Sequence, residues 1–200
     1  MYFLYNIAAT FAAAAGLVWV ALSKKHRVLL GRFRAAVPTQ AGAHPLWVQA
    51  CSVGEVKTAL PLLDDYRKRH PDTPIVLTTS TRTGFETARA AASMAHVAWC
   101  PFDHPLIVRR FVRKLAPCAL VLVETELWPN ILREADRAGA PVVVVNGRVS
   151  DKHFSRYKRF GRFTRRMVEY LTAVGAQNQE YADRFASLGV EAGNIQVTGN

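Results

Sequence analysis

The stretch Leu46-Trp-Val-Gln-Ala-Cys-Ser-Val-Gly-Glu-Val56 decides the fold that this sequence predicts. Its first residues suit a buried strand, and a tight turn at Gly54 then leads into the first turn of a helix. Glu55 thus stands at a helix N-terminus, where the helix dipole and free N–H groups favour an ionised carboxylate near neutral pH. It also stands at the carboxyl end of a strand. Two interpretations of Glu55 remain open at this point: it performs chemistry, or it only stabilises its helix end.

The same alternation of strand and helix continues along the 200-residue chain. The predicted strands are residues 46–50, 75–79, 96–100, 119–123, 142–145, 171–176 and 195–198. The predicted helices are residues 55–70, 83–93, 105–115, 128–138, 154–170 and 179–188. Strands such as 119–123 and 142–145 are apolar throughout, as strands covered on both faces must be. The pattern predicts an α/β fold, a Rossmann-like, mostly parallel, doubly wound sheet.

Polar residues gather in the loops that follow these strands. In a parallel sheet such loops share one edge, where open α/β sheets bind ligands. Glu124 and Glu126 directly follow strand 119–123, and with Glu55 they bring three carboxylates to this edge. Paired carboxylates can divide acid and base roles or accept hydrogen bonds from substrate hydroxyls. The alternative is that Glu124 or Glu126 caps the helix that begins near Pro129.

The loop at residues 78–84 carries five hydroxyl groups, Arg82 and Gly84 ahead of a predicted helix. Such a loop can hold an anion, or it can be an ordinary capped helix start. No Walker or G-x-G-x-x-G motif occurs, so no dinucleotide cofactor is predicted. The six histidines lack metal-binding spacing, and three cysteines without C-x-x-C spacing suggest reduced thiols. The sequence therefore predicts no cofactor and no metal site.

A formal net charge of +11 and a pI of about 10.1 predict an anionic partner. The most basic stretch, residues 148–166, also carries aromatic residues every three or four positions. It suits a helix that binds anionic lipid phosphates, or one whose apolar stripe packs on the sheet with a solvated basic face; both can hold together. No aromatic stacking face or known motif accompanies the charge, so nucleic acid is not an expected partner.

Residues Tyr2–Leu22 contain no acid or base other than tyrosine. As a helix they would extend about 32 Å, enough to cross a bilayer once. Lys24, Lys25, His26 and Arg27 follow, so the positive-inside rule places that side in the cytoplasm and the N-terminus outside. The alternative is a buried, Ala-rich helix of a soluble domain. The predicted organisation is a membrane anchor at 1–23, a basic juxtamembrane segment and linker at 24–45, and a Rossmann-like domain at 46–200.

Two motifs, Ser52-Val-Gly-Glu55 and Glu124-Thr-Glu-Leu-Trp-Pro129, resemble those of the 3-deoxy-D-manno-octulosonic acid (Kdo) transferases of lipopolysaccharide synthesis. Residues 77–84, 145–150 and 197–200 add to the resemblance. It implies the acceptor-binding N-terminal domain of a two-domain GT-B glycosyltransferase, which moves Kdo from CMP-Kdo to a lipid A precursor without a bound metal. The expected location is the cytoplasmic face of the inner membrane.

The resemblance also implies roles for single residues. Glu55 matches the family's proposed general base. Glu124 matches a family residue that is important for activity, with a role in positioning the acceptor. The family often has proline where this chain has Arg82, so the resemblance implies no role for Arg82. Cys51 and Gly147 are variants at positions where the family has small residues. With Glu55 as the catalytic residue, the expected substrate-binding residues are Ser52, Gly54, Thr79, Glu124, Glu126, Asn146 and Arg148.

The family's second domain, which supplies most of the CMP-Kdo site, is expected to begin just after Asn200. We therefore expect this chain to be half of the enzyme and inactive or nearly so by itself. Two alternatives remain: a membrane-anchored module that binds anionic lipid without catalysis, and another GT-B transferase that uses a UDP-sugar.

Overall fold

A seven-stranded sheet lies at the centre of the computed structural model, which describes residues 1–23, 26–38 and 43–199. Its strands are β1 (Leu46–Gln49), β2 (Ile75–Thr79), β3 (His96–Trp99), β4 (Ala119–Val123), β5 (Val142–Gly147), β6 (Ala173–Ala176) and β7 (Ile195–Val197). Their order is β3-β2-β1-β4-β5-β6-β7, and every neighbouring pair is parallel. The predicted Rossmann-like, doubly wound sheet is confirmed.

Helices cover both faces of the sheet. They are α1 (Tyr2–Leu22), α2 (Gly31–Arg34), α3 (Val53–Arg69), α4 (Arg82–Ala91), α5 (Pro105–Leu115), α6 (Pro129–Arg137), α7 (Asp151–Arg159), α8 (Gly161–Val168) and α9 (Gln179–Leu188), with 3-10 turns at Arg27–Leu30 and Ala192–Asn194. Trp47 packs in the core with residues of α5, α6, α8 and α9, whereas Leu46 and Val48 pack with α3 and α4. Alternate residues of each strand point to opposite faces, so β1 supplies both cores.

The strand order reverses between β1 and β4, which are direct neighbours in the sheet. Open α/β sheets form a crevice at such a switch point, outside the carboxyl ends of the strands. Glu55 follows β1, and Glu124 and Glu126 follow β4. The topology therefore brings the three predicted carboxylates to one crevice.

The predicted helix at residues 154–170 is in fact two helices, α7 and α8. The chain turns at Phe160, and the hydroxyl of Thr164 donates a 2.8 Å hydrogen bond to the carbonyl of Tyr157. Gly161 follows the turn, and glycine lowers the cost of leaving the helix there. The apolar stripe had suggested continuity because its spacing is kept across the break.

Gly54 does not form the tight turn that we predicted. Helix α3 already begins at Val53, and Gly54 lies inside its first turn with no positive φ angle. A Cβ atom there would lie 3.9 Å from Ser52 Oγ, which is an ordinary contact. Glycine at this position is thus not required by the backbone.

Helix α1 contacts the domain near its N-terminal end. The hydroxyl of Tyr5 donates a 2.7 Å hydrogen bond to Asp103 Oδ2, and the ring of Tyr2 packs edge-on against Phe163. Thr10 Oγ1 lies 3.2 Å from Nε2 of His104, at the start of α5. These contacts place the first half of α1 beside the carboxyl edge of the sheet.

The segment that follows α1 contacts the domain as well. Trp19 stacks on His26, and Phe33 stacks on Phe102 in the loop after β3, while the Phe102 N–H donates to the carbonyl of Arg32. Part of the segment predicted as juxtamembrane and linker is thus docked on the domain. Lys24, Lys25 and residues 39–42, which belong to that segment, lie outside the described residues, as does Asn200.

Candidate active site

Glu55 lies buried at the start of α3 with one carboxylate oxygen held in place. Its Oε2 accepts a 2.8 Å hydrogen bond from the backbone N–H of Cys51. The Glu55 N–H in turn donates to Ser52 Oγ, so Ser52 is the N-cap residue of α3. Ser52 thus caps the helix, while the Glu55 side chain reaches back one residue further, to Cys51, which holds the carboxylate near the end of β1. Both interpretations of Glu55 are therefore compatible with its position.

Glu126 approaches Glu55 from the loop after β4. A carboxylate oxygen of Glu126, one of Glu55 and the sulfur of Cys51 all lie within 4.8 Å of one another. The Oε2 of Glu126 accepts a 2.7 Å hydrogen bond from the indole N–H of Trp128, which fixes its position. The Glu-Thr-Glu-x-Trp motif thus orients its second glutamate through its own tryptophan.

Burial raises the pKa of the Glu55 carboxyl above its ordinary value. Ser52 and the Cys51 N–H oppose the rise, whereas the negative charges of Glu126 and Glu124 add to it. A desolvated carboxylate beside like charges holds its proton more tightly. The sequence predicted that the helix dipole keeps this carboxylate ionised near neutral pH; burial and the facing carboxylates, which local sequence does not show, act against that effect. A raised pKa is what a general base near neutral pH needs.

Glu124 and Arg148 form the outer part of the site. Arg148 Nη2 lies 3.5 Å from Glu124 Oε2, with the arginine side chain half exposed. Thr125 Oγ1 bonds to the backbone carbonyl of Arg148, tying the loops after β4 and β5 together. Glu124 is thereby paired with a cation at the rim of the crevice.

Two non-glycine residues at this edge have left-handed backbone conformations. Glu124 has φ +63° after β4, and Asn146 has φ +53° near the end of β5. Such conformations cost energy and are concentrated at functional sites. The side-chain oxygen of Asn146 is buried with no hydrogen-bond partner among the described residues. Asn146 therefore has acceptor capacity that the protein itself leaves unused.

Neither Glu124 nor Glu126 caps helix α6, so that alternative was wrong. Asp103, from the loop after β3, accepts hydrogen bonds from the backbone N–H groups of Asn130 (3.1 Å) and Ile131 (2.9 Å). Asp103 is almost fully buried, and burial raises the pKa of its carboxyl despite these donors. Sequence reasoning missed this residue because its partners lie 27 and 28 positions away.

The hydroxyl loop at residues 78–84 forms the capped helix start. Thr81 Oγ1 accepts from the Gly84 N–H, and Arg82 forms an ion pair with Glu86 one turn along α4. Thr78 is buried between Trp47 and the Val48 carbonyl. Thr79 is also buried, but its hydroxyl oxygen has no partner among the described residues. The role of Thr79 in substrate binding stays a prediction, and its unpartnered hydroxyl is compatible with it.

An apolar cavity of about 540 Å³ opens next to Glu126. The N-terminal end of α1 forms one wall, and α7 and α8 form another. Its lining also includes the polar side chains of His153 and Arg156. The apolar lining includes Leu4, Tyr5, Leu127, Trp128, Tyr157, Phe160, Phe163 and Met167.

The basic stretch 148–166 divides between core and solvent. Met167 and Val168 of α8 are buried, and Phe154, Tyr157 and Phe163 pack against the same core. The cationic side chains point outward: Lys152, Arg156, Lys158, Arg159, Arg162, Arg165 and Arg166 are all exposed. The apolar stripe is therefore packed and the basic face is exposed, while lipid binding by that face stays a prediction.

The sheet order places the chain among Rossmann-like α/β proteins, and its carboxylates lie at the switch point where open α/β sheets generally bind ligands. A UDP-GlcNAc 2-epimerase from Neisseria meningitidis, solved with UDP-GlcNAc bound, has a similar fold. It aligns with a TM-score of 0.58 and 11% identity over 78% of this chain and 47% of that one. This likeness shows the fold alone.

Residues 25–200 match the family model of the 3-deoxy-D-manno-octulosonic-acid transferase (kdotransferase). The transferase of that name from Chlamydophila psittaci is 34% identical over 99% of this chain and 48% of its own length. The one from Bordetella pertussis is 31% identical over 93% of this chain and 46% of its own. The chain belongs to the Kdo transferase family and spans about half the length of these relatives.

Proposed function

We propose that this chain is the acceptor-binding part of a GT-B glycosyltransferase that moves Kdo from CMP-Kdo to a lipid A precursor. The observation that carries the proposal is the buried Glu55 carboxylate at the β1/β4 switch point, facing Glu126 in a chain of this family. The relatives are about twice as long, so the proposed activity is that of the full-length protein. The 200-residue chain by itself is expected to show little or no turnover.

Glu55 acts as the general base in this proposal. A sugar hydroxyl is a weak nucleophile until its proton is removed during attack, and a positioned carboxylate contributes about 10²–10⁴ in rate. The acceptor oxygen forms the new bond to Kdo while its proton passes to Glu55. CMP leaves with the electron pair of the broken bond, and its phosphate charge needs electrostatic stabilisation rather than an acid.

The remaining site residues hold the acceptor. Glu124 and Asn146 present acceptor oxygens for sugar hydroxyls, and Arg148 presents a cation beside them. The apolar cavity next to Glu126 is large enough to take part of an acyl chain. The exposed cations of α7 and α8 are suited to the phosphates of such a lipid.

Attachment to the inner membrane on its cytoplasmic side is part of the proposal. Helix α1 is long and apolar enough to cross a membrane, and only 11% of its apolar window is buried, which supports membrane attachment over a buried core helix. A crossing with the N-terminus outside would break the contacts of Tyr2 and Tyr5 with the domain. We therefore favour an arrangement in which the N-terminal end of α1 stays on the same side of the membrane as the domain, with its exposed apolar residues in contact with lipid.

The test is Glu55→Gln in a full-length protein that carries this sequence. Glutamine can still accept the Cys51 N–H, but it cannot take a proton, so kcat should fall at least about a hundredfold with an unchanged fold. Glu86→Gln, on the exposed surface of α4, is the matched control and should keep wild-type turnover. Kdo transfer is measured with CMP-Kdo and a lipid A precursor. Near-normal turnover by Glu55→Gln would reject the base role.

A further inference from the structure

Cys51 has no role in the proposed transfer, yet its sulfur lies at the centre of the site. Its Sγ, one oxygen of Glu55 and one oxygen of Glu126 are mutually within 4.8 Å. A zinc ion with tetrahedral geometry would hold such atoms roughly 3.5 Å apart. Small rotations of these side chains would therefore bring all three into coordination distance.

Each carboxylate has one oxygen fixed and one free. The Oε2 of Glu55 is held by the Cys51 N–H at 2.8 Å, and the Oε2 of Glu126 by the Trp128 indole at 2.7 Å. Among the described residues, neither Oε1 atom takes part in a hydrogen bond. Carboxylates that bind metals are typically oriented in this way by donors outside the coordination shell.

Gln49 supplies a second, independent observation. Its side chain is fully buried, and its Nε2 donates to Cys51 Sγ at 3.8 Å. Its Oε1 has no partner among the described residues, which is costly for a buried amide. Ser80 Oγ also donates to the sulfur, at 3.1 Å. The neighbouring Cys100, burial and Glu126 raise the pKa of the Cys51 thiol, so a metal ion must displace its proton on binding. A water brought in with the ion could satisfy the free oxygen of Gln49.

The ligand set selects the kind of ion. Thiolate is a poor ligand for Mg²⁺ and Ca²⁺, which prefer oxygen alone, whereas Zn²⁺ readily combines cysteine with carboxylate. Three protein ligands leave a fourth position for water. We propose that Cys51, Glu55 and Glu126 form a binding site for Zn²⁺, and that the bound ion inhibits transfer by occupying the carboxylate of Glu55. The inhibition rests on the proposed function, whereas binding of the ion does not.

Binding is tested on the purified 200-residue chain, stripped of metal and reduced, with Co²⁺ as a spectroscopic substitute for Zn²⁺. One equivalent of Co²⁺ should produce a thiolate-to-metal charge-transfer band and the visible bands of a four-coordinate site, and Zn²⁺ should displace it. Cys51→Val should abolish the charge-transfer band. Glu126→Gln should weaken binding at least about tenfold. Circular dichroism and thermal unfolding verify that both variants fold.

Cys118→Ser is the matched control, because Cys118 is a free but exposed cysteine. It should leave the charge-transfer band unchanged. The proposal is overturned if wild type gives no band, if the band persists in Cys51→Val and is lost in Cys118→Ser, or if Glu126→Gln binds Co²⁺ as tightly as wild type. Should Cys51→Val fail to fold, the other two variants still test the proposal: Glu126→Gln should bind Co²⁺ more weakly, and Cys118→Ser should bind it as wild type does.

Inhibition is tested separately in the full-length protein. Zn²⁺ should lower wild-type turnover, and Cys51→Val, compared with its own metal-free rate, should lose this sensitivity. Equal Zn²⁺ sensitivity of both proteins would overturn the inhibitory role. If the full-length protein transfers no Kdo while the Co²⁺ site is present, the proposed function fails and the metal site stands.

Discussion

Glu55 illustrates how burial changes the chemistry of one residue. Its position at a helix N-terminus lowers the energy of the charged form, while burial and the facing Glu126 raise it, with a raised pKa as the outcome. A group with a raised pKa loses its proton at higher pH, so its base form disappears earlier on acidification. The pH dependence of Kdo transfer should therefore reflect the pKa of Glu55.

In the full-length protein, kcat/KM should decline on acidification with a midpoint above the ordinary glutamate range of about 4.3. Glu126→Gln removes a negative charge that raises the pKa of Glu55, so it should move the midpoint to lower pH. Glu86→Gln should leave it in place. The profile is measured with EDTA present to exclude metal effects. An unshifted midpoint in Glu126→Gln would contradict the coupling of the two carboxylates.

Asp103 matters at the same scale, because one buried carboxylate joins α1, the loop after β3 and the start of α6. Asp103→Ala leaves the Asn130 and Ile131 N–H groups and the Tyr5 hydroxyl without their acceptor. We expect a loss of about 1–3 kcal/mol in the free energy of unfolding, measured by urea denaturation. Asp136→Ala, at an exposed position of α6, should change it by less than about 0.5 kcal/mol. Equal effects of the two substitutions would show that the cap contributes little.

At the scale of elements, α1 and the α7–α8 pair depart most from local sequence rules. Length, hydropathy and following charges predicted a span for α1. In the structure its Tyr5 contacts Asp103 of the domain, whereas its Trp19 stacks only on His26 of the segment that directly follows the helix. Helix periodicity predicted one long helix where the chain turns at Phe160. The span of α1 stays a prediction, whereas the break at Phe160 shows that apolar periodicity alone does not decide where a helix ends.

The position of α1 has a direct test in membrane vesicles. A protease-sensitive tag fused before Met1 should lie on the same side as the domain, because Tyr2 and Tyr5 contact the domain. In inside-out vesicles the protease should therefore remove the tag, and in right-side-out vesicles it should not. A tag after Asn200 serves as the reference for the cytoplasmic side. If the two tags were accessible in opposite vesicle preparations, α1 would cross the membrane with its N-terminus outside.

The whole molecule combines an exposed apolar helix with a net charge of +11. Residues of α8 pack in one core and those of α3 in the other, so the two helices lie on opposite faces of the sheet. If the α8 side faces the membrane, its cations should contribute about 1 kcal/mol each to binding anionic lipid. Cations on α3 should contribute much less.

Vesicle sedimentation can separate these surfaces. Replacing Arg162, Arg165 and Arg166 with alanine should weaken binding to anionic vesicles by roughly a hundredfold, since three cations contribute about 3 kcal/mol. The charge-matched control replaces Lys57, Lys68 and Arg69 of α3. Added salt should weaken wild-type binding, because it screens charge. Similar losses in both triple variants would mean that only net charge matters.

The sequence by itself determined the architecture and brought the candidate site residues to one edge of the sheet. Apolar strands that alternate with helices can form little else than a covered parallel sheet, and such a sheet brings Glu55, Glu124 and Glu126 to one edge whatever the details. The motifs around these residues also indicated the family. These conclusions depend on spacing and composition, which are local.

Only the tertiary structure decided what each group touches. The cap of α6 comes from Asp103, the pKa of Glu55 is raised by burial, and Cys51 meets two carboxylates from separate loops. No spacing rule finds the Cys51–Glu55–Glu126 cluster, because its third member follows a different strand. Hydrogen bonds, desolvation and metal coordination act over a few ångströms between residues far apart in sequence, and the folded chain alone sets those distances.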